Sequence, residues 1–267
     1  MRSIRKALVL GAALLVTVTG MVVVAPSTAS AQDFSCYRYD EDYNKVLGTC
    51  TVIPVVTTAN LVMTLGGTYD HLITTRVYDP QNMVDSVDLT MYAADGSVAG
   101  TGYVYRFTTS GAYKTFTYNQ RVYEGSDDAG RYTVVAEIGY DCCDGWRTDQ
   151  PEPTSAPVAY SIQYRTQTLM WAGPVPVRAG QTLTMFGRVT LGRDRWGDEY
   201  YPRGGSVTFY FRRTGTKALV SQGTVRLTGA GVFVKKVTAR APGIWKVIYN
   251  GTPTTARSSA VRNVPLR

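Results

Sequence analysis

Leu72-Ile-Thr-Thr-Arg-Val-Tyr78, followed by Val87-Asp-Leu-Thr-Met-Tyr92, decides the fold class. In both stretches apolar side chains alternate with polar or small ones, the period of a strand with one face buried, and Asp79, Pro80 and Asn82 mark a turn between them. The pattern recurs in Tyr103-Val-Tyr-Arg-Phe107, Tyr132-Thr-Val-Val-Ala-Glu-Ile138, Val207-Thr-Phe-Tyr-Phe211 and Val232-Phe-Val-Lys-Lys-Val237. No stretch after Thr51 sustains a helical period. β-Branched and aromatic bias with frequent Gly, Pro, Asp and Asn breaks reads as all-β, built as sandwiches.

Landmarks repeat in order along the two halves. Gly66-Gly67 precedes Leu72-Ile-Thr-Thr-Arg-Val77, then come Ser86-Val-Asp-Leu-Thr-Met-Tyr92 and Gly130-Arg-Tyr-Thr-Val134. Ala179-Gly180 precedes Leu183-Thr-Met-Phe-Gly-Arg-Val189, then Ser206-Val-Thr-Phe-Tyr-Phe-Arg212 and Gly243-Ile-Trp-Lys-Val247. A period of roughly 110 residues is too long for a solenoid repeat and suits one sandwich each. The expected organisation is a signal peptide over 1–31, an extension over 32–50 that holds Cys36 and Cys50, and two tandem sandwiches over 51–164 and 165–267.

Asp128-Ala-Gly-Arg-Tyr132 resembles the Asp-x-Gly-x-Tyr that opens the penultimate strand of immunoglobulin-like domains, and Pro242-Gly-Ile-Trp245 is its counterpart in the second half. Two residues beyond each aromatic, where antibody domains place cysteine, stand Val134 and Val247. The pattern is therefore similar to bacterial immunoglobulin-like modules and not to antibody domains proper. With the N-terminal signal, the pair resembles tandem immunoglobulin-like domains of secreted actinobacterial proteins of unassigned function. The resemblance implies two tandem immunoglobulin-like β-sandwiches and no particular activity.

The first 31 residues combine a basic start (Arg2, Arg5, Lys6), an apolar run from Ala7 to Val24 and the small-residue site Ala29-Ser30-Ala31, so cleavage is expected before Gln32 and the product is expected to be secreted without a membrane anchor. All four cysteines, Cys36, Cys50, Cys142 and Cys143, fall after that site, and an even count in an oxidising compartment implies two disulfides. Three pairings exist. Adjacent cysteines close only a strained ring, so the favoured one joins Cys36 and Cys50 each to one of Cys142 and Cys143.

The chain of 267 residues is 44% apolar and 18% charged, with one histidine, His71, which leaves little room for His-dependent catalysis or multi-histidine metal sites. No Gly-x-Ser-x-Gly elbow accompanies it, and we read the chain as non-enzymatic and His71 as solvated or locally hydrogen-bonded. Charge is divided unevenly: residues 32–164 hold 17 acidic and 8 basic side chains, net −9, whereas residues 165–267 hold 3 acidic and 17 basic, net +14. Such lobes steer partners of opposite sign. The densest basic segments are Arg193, Arg195 and Arg203, in a loop with Trp196, Tyr200 and Tyr201, and Arg212-Arg213 with Lys217 at a hairpin. Guanidinium groups suit carboxylates and phosphates. For an exported protein the expected partner is an anionic cell-wall polymer or an envelope protein, with no nucleic acid.

Two further surfaces stand beside this one. Tyr103, Tyr105 and Phe107 share one face of a strand, a carbohydrate platform if exposed and cross-strand packing otherwise. Turn aspartates (Asp40, Asp42, Asp79, Asp85, Asp88, Asp127, Asp128, Asp141, Asp144, Asp149) offer oxygen ligands for calcium, though no Asp-x-Asp-x-Asp-Gly loop is present and aspartate is a default turn residue. No cofactor is expected apart from that calcium. The leading expectation is a secreted binding or structural protein of the cell envelope acting through charged surfaces; the alternative is an accessory carbohydrate-binding protein using Tyr103, Tyr105 and Trp196.

Overall fold

The computed structural model describes residues 32–39, 43–123, 129–140, 153–193, 196 and 198–267. In chain order the first half forms β1 (Gln32–Tyr39), β2 (Lys45–Thr58), β3 (Leu61–Met63), β4 (Thr68–Tyr78), β5 (Val84–Ala93), β6 (Val98–Val104), β7 (Phe107–Ser110), β8 (Tyr113–Tyr123), β9 (Gly130–Tyr140) and β10 (Val158–Tyr164). The second forms β11 (Gln167–Gly173), β12 (Thr182–Thr190), β13 (Gly192–Arg193), β14 (Glu199–Tyr200), β15 (Ser206–Arg213), β16 (Val220–Arg226), β17 (Val232–Thr238), β18 (Gly243–Tyr249) and β19 (Ser258–Val264). No helix occurs among the described residues.

Strand order identifies the architecture. The first half pairs its strands β1-β2-β4-β8-β7 in one sheet and β3-β10-β9-β5-β6 in the other. Lettered in the immunoglobulin manner, β2, β4, β8 and β7 are strands A, B, E and D, while β10, β9, β5 and β6 are G, F, C and C′. The short β3 leaves the first sheet to pair in parallel with β10, Ile162 opposite Leu61. In the second half β11-β12-β17 are A, B and E, and β16-β15-β18-β19 are C′, C, F and G. Pro174 and Pro176 follow β11, and since proline cannot donate to a ladder the chain there crosses sheets to bridge Val177 with Leu266 in parallel. The chain is a tandem of immunoglobulin-like β-sandwiches.

Each sandwich fills with the alternate side chains its strands predict. Val52, Ile73, Val77, Leu89, Phe116 and Ile138 are among those that form the first core, and Leu183, Met185, Phe209, Phe233, Val247 and Tyr249 lie in the second. Val134 and Val247, which replace the antibody cysteines, are fully buried. The corner residue Tyr132 opens β9 and stacks on Tyr160 with ring centroids 5.5 Å apart; Trp245 in β18 is buried against Phe211 at 4.9 Å. Gly102 in β6 is needed because a Cβ there would lie 2.7 Å from the ring of Tyr118, which packs over it. Tyr103 and Phe107, expected on one strand, belong to different sheets: β6 ends at Val104, and Tyr105-Arg106 carry the chain across to β7.

The extension corrects the expected cysteine pairing. β1, residues 32–39, pairs antiparallel with residues 45–52 of β2, so that Cys36 stands opposite Gly48 and Cys50 opposite Phe34. This register puts both cysteines on one face as diagonal neighbours with Cα atoms 5.8 Å apart, and they bridge each other. The pair Cys36–Cys50 therefore replaces the expected cross-links to Cys142 and Cys143, both of which lie outside the described residues. Met83 and Tyr140 pack on the bridge, so this pair of strands is held against that end of the first sandwich by side-chain contact.

Between the sandwiches only Arg165 and Thr166 separate β10 from β11. Tyr164 N–H donates to the Thr254 carbonyl (2.9 Å), Ala256 N–H to the Tyr164 carbonyl (2.8 Å) and Thr166 Oγ1 to the Ala256 carbonyl (2.8 Å). The connection is tied to the loop between β18 and β19 rather than left as a free linker.

Candidate functional site

The basic residues singled out by sequence are divided by the fold. Arg193 sits in the β13–β14 hairpin and lines a crevice of about 420 Å3 at the junction, with Arg165, Thr64, Thr166 and Gln167 on its other sides. Arg203 is exposed in the turn that enters β15, Arg195 lies outside the described residues, and Trp196 is 76% exposed. Arg212 and Arg213 end β15, and since this strand begins at Ser206 they lie a full strand away from Arg203, roughly 25 Å at 3.3 Å per residue. The structure thus yields two basic ends, not one patch.

At the junction end the charge is partly balanced. Arg188 donates to Glu199 Oε2 at 2.8 Å and to the Tyr201 hydroxyl at 3.1 Å, and Tyr201 donates to the same carboxylate oxygen at 2.6 Å. The Tyr201 hydrogen bond, followed by the charges of Arg188 and Arg193, holds the Glu199 carboxyl below the usual range. The same bond to an anion pushes the Tyr201 phenol above its usual value.

Three of the aromatic groups bear on the expected carbohydrate surface or extend it. Tyr103 and Tyr105 are 59% and 60% exposed with centroids 6.1 Å apart, and Arg106 lies over the Tyr105 ring at 5.7 Å. Phe107 instead packs on Phe116 at 5.1 Å, covering the edge of the first core. The third group was not singled out from sequence: on the outer face of β11-β12-β17, Trp171 stands opposite Phe186 and Phe186 opposite Val234. The Trp171 and Phe186 rings are nearly parallel (19°) at 6.0 Å and 44% exposed each, with Leu169 and Val234 beside them. An apolar row on a solvent-facing sheet is a mark of contact with something.

His71 is buried, with Nε2 2.8 Å from the Ala59 carbonyl and 2.9 Å from the Thr58 hydroxyl, Nδ1 3.2 Å from Gln120 Oε1, and its ring stacked on Tyr160 at 4.7 Å. Of the aspartates considered for calcium, Asp79 is buried and engaged by Lys114 at 3.0 Å and by the N–H groups of Met83 and Val84, both at 2.9 Å. Asp85 accepts from Ser86, and Asp88 is exposed opposite Glu137. Asp40, Asp42, Asp127, Asp128, Asp141, Asp144 and Asp149 lie outside the described residues. Among the described residues no three His, Cys, Asp or Glu side chains gather where a metal could sit, and no helix is long and apolar enough to cross a membrane.

No family model matches this chain, and no curated protein does. Among solved structures it is similar to an amphioxus IgVJ-C2 molecule, at 10% identity over 77% of this chain and 99% of that one, TM-score 0.30. It is also similar to the Escherichia coli adhesin FdeC, at 16% identity over 92% and 87%, TM-score 0.29. A beta-glucuronidase from glycoside hydrolase family 2 matches at 15% identity and TM-score 0.26 over 82% of this chain, which spans 20% of that enzyme. The strand order, not these superpositions, carries the fold.

Proposed function

We propose that this chain is an exported binding protein of an actinobacterial cell envelope, without catalytic activity, whose basic second sandwich engages an anionic wall polymer. The observation that supports this is the segregation of charge by sandwich, 17 basic against 3 acidic side chains in residues 165–267, with the first sandwich of opposite sign. Codon preference for arginine would raise both halves alike. Polymer binding needs no titrating dyad, only repeated cations reachable by one chain, and the two basic ends of the second sandwich meet that need over roughly 25 Å. The acidic sandwich then repels the same polymer, so it projects away from it.

The test is retention of the full chain on a teichoic-acid-type polymer at low and high salt. Several exposed ion contacts acting together give binding that falls steeply with ionic strength. Joint replacement of Arg193, Arg195 and Arg203 by Ser should weaken retention, and adding Arg212→Ser and Arg213→Ser should weaken it further, because the two ends are independent. Indifference to polyanions at low salt would remove the proposal.

The exposed Tyr103–Tyr105 pair and the Trp171–Phe186 row favour a second reading, an accessory carbohydrate-binding protein. Stacking on neutral glycan survives high salt, which separates the two readings in the same experiment.

A further inference from the structure

β8 and β17 are equivalent strands of the two sandwiches, and each carries one lysine on its core side, at different heights. In the first, Lys114 is buried, paired with Asp79, donating to the Val84 carbonyl, and lies 4.8 Å from the Phe107 ring. β7 runs along the outer edge of β8 there, Thr109 opposite Lys114. In the second, Lys235 stands between Phe233 and Val237 with Nζ 5.7 Å from the Phe209 ring and no carboxylate partner among the described residues. No strand among the described residues takes the place of β7. Residues 227–231 pass from β16 into β17 as a turn, with Gly231 at φ 68°, in which Thr228 N–H donates to the Val232 carbonyl (2.9 Å) and Val232 N–H to Thr228 Oγ1 (3.2 Å); beyond Val232 the outer edge of β17 pairs with no strand among the described residues.

A groove of about 560 Å3 opens beside that edge. Its floor includes Phe211 and Trp245, and Lys235, Lys236 and Arg240 rim it. Asp198 and Glu199, the described carboxylates of this sandwich, lie beyond the other end of β12 from the Thr182–Thr238 pair that borders the groove. The first sandwich fills the equivalent edge with a strand and a counter-ion. The second has the same needs, an open backbone edge and an unpaired cation over an apolar floor.

We propose that this groove binds an acidic, extended polypeptide segment, which adds as a strand to the free edge of β17 and brings a carboxylate to Lys235. Main-chain pairing supplies attachment, and alternate apolar side chains of the segment face Phe211 and Trp245. Lysines on a free edge reject neutral and basic strands, so the charge that guards the edge also selects its occupant. The proposal rests on the second sandwich being the half that recognises an anionic partner, and replaces the polymer by a peptide at this one site.

Full-length protein would be titrated with a fluorescent heptapeptide alternating valine and glutamate. Controls are its lysine counterpart, the same acidic peptide with N-methylated backbone, and inorganic polyphosphate, and amide exchange over residues 232–238 is followed throughout. The acidic peptide should bind and slow exchange along β17, with both altered peptides weaker by about tenfold or more. Lys235→Met, which removes one side of a desolvated charge pair, should weaken the acidic peptide about tenfold or more. Lys246→Met, on the outer face of the other sheet, should leave it unchanged. Should Lys235→Met unfold, Arg240→Gln is read in its place. Equal binding of the N-methylated peptide, or binding without protection of β17, overturns the proposal. Peptide binding without polymer binding would overturn only the polymer reading; polymer binding without peptide binding would overturn only this one.

Discussion

The two sandwiches share a strand order and differ in how they treat the same surfaces. Across β4 and β8 of the first, the solvent-facing pairs at the centre are Asp70 with Arg121, Leu72 with Asn119, Thr74 with Thr117 and Arg76 with Thr115, with aromatics only at the ends, Tyr123 opposite Thr68 and Tyr113 opposite Tyr78. On the equivalent β11-β12-β17 face of the second stand Leu169, Trp171, Phe186 and Val234. The first closes its edge with β7 and neutralises its inner lysine; the second does neither. Since one fold tolerates both treatments, the apolar face and the open groove are not demands of the architecture. The first sandwich is thus an internal reference for the second.

That comparison breaks most visibly at the buried ion pair. Asp79→Ala leaves Lys114 charged and unpaired inside the first sandwich and should destabilise it by about 3–5 kcal/mol, whereas Lys235→Met in the second should change stability by less than about 1 kcal/mol. Chemical denaturation followed by the near-ultraviolet signal would resolve the two. Next comes the bridge: replacing Cys36 and Cys50 by Ser should remove about 3 kcal/mol in the chain-entropy account of a loop this short, from the first sandwich only. A non-reducing peptide map should recover Cys36 joined to Cys50.

Smaller effects sharpen the contrast between faces. Trp171→Thr with Phe186→Thr should shift stability by only about 0.5–1.5 kcal/mol, the scale of an aromatic pair, yet abolish any salt-resistant retention on polysaccharide. On the matching face of the first sandwich the aromatic pair is Tyr78 with Tyr113, 5.2 Å apart at the end of the sheet and with Arg76 over the Tyr113 ring. The smallest effect is at Glu199. Its folded pKa is lowered, so its contribution is present above the unfolded value and fades as pH falls through the folded one. Tyr201→Phe should return the Glu199 titration, read by carboxyl NMR, toward the ordinary carboxylate range.

Alternation and turn residues made the strands and their sandwich packing readable, because period-two patterns record which face is buried. Other features depend on partners distant in sequence. Tyr103-Val-Tyr-Arg-Phe107 keeps its phase across the crossing from β6 to β7, so nothing local marks the break. β11 is apolar on both phases, Met170 inward and Leu169 and Trp171 outward, which hid the exposed row. The pairing of Cys36 with Cys50 follows from the register of β1 on β2, whereas the sequence offered only the strain of a ring between the adjacent Cys142 and Cys143, which favours cross-links to the distant pair. His71 is held by Ala59, Thr58 and Gln120, contacts that only the assembled first sheet creates.

The parallel contacts, β3 with β10 and Val177 with Leu266, bear on how the chain carries load. In each sandwich a segment near the entry lies alongside one near the exit and points the same way. Pulling on the two ends therefore slides these segments past each other, stressing their hydrogen bonds together in shear instead of unzipping them one by one. With two residues and several hydrogen bonds at the junction, there is little slack between the sandwiches to take up first. A chain of this build, held at one end and gripped at the other, would resist stretching as a stiff strut, and single-molecule pulling would record two separate force peaks.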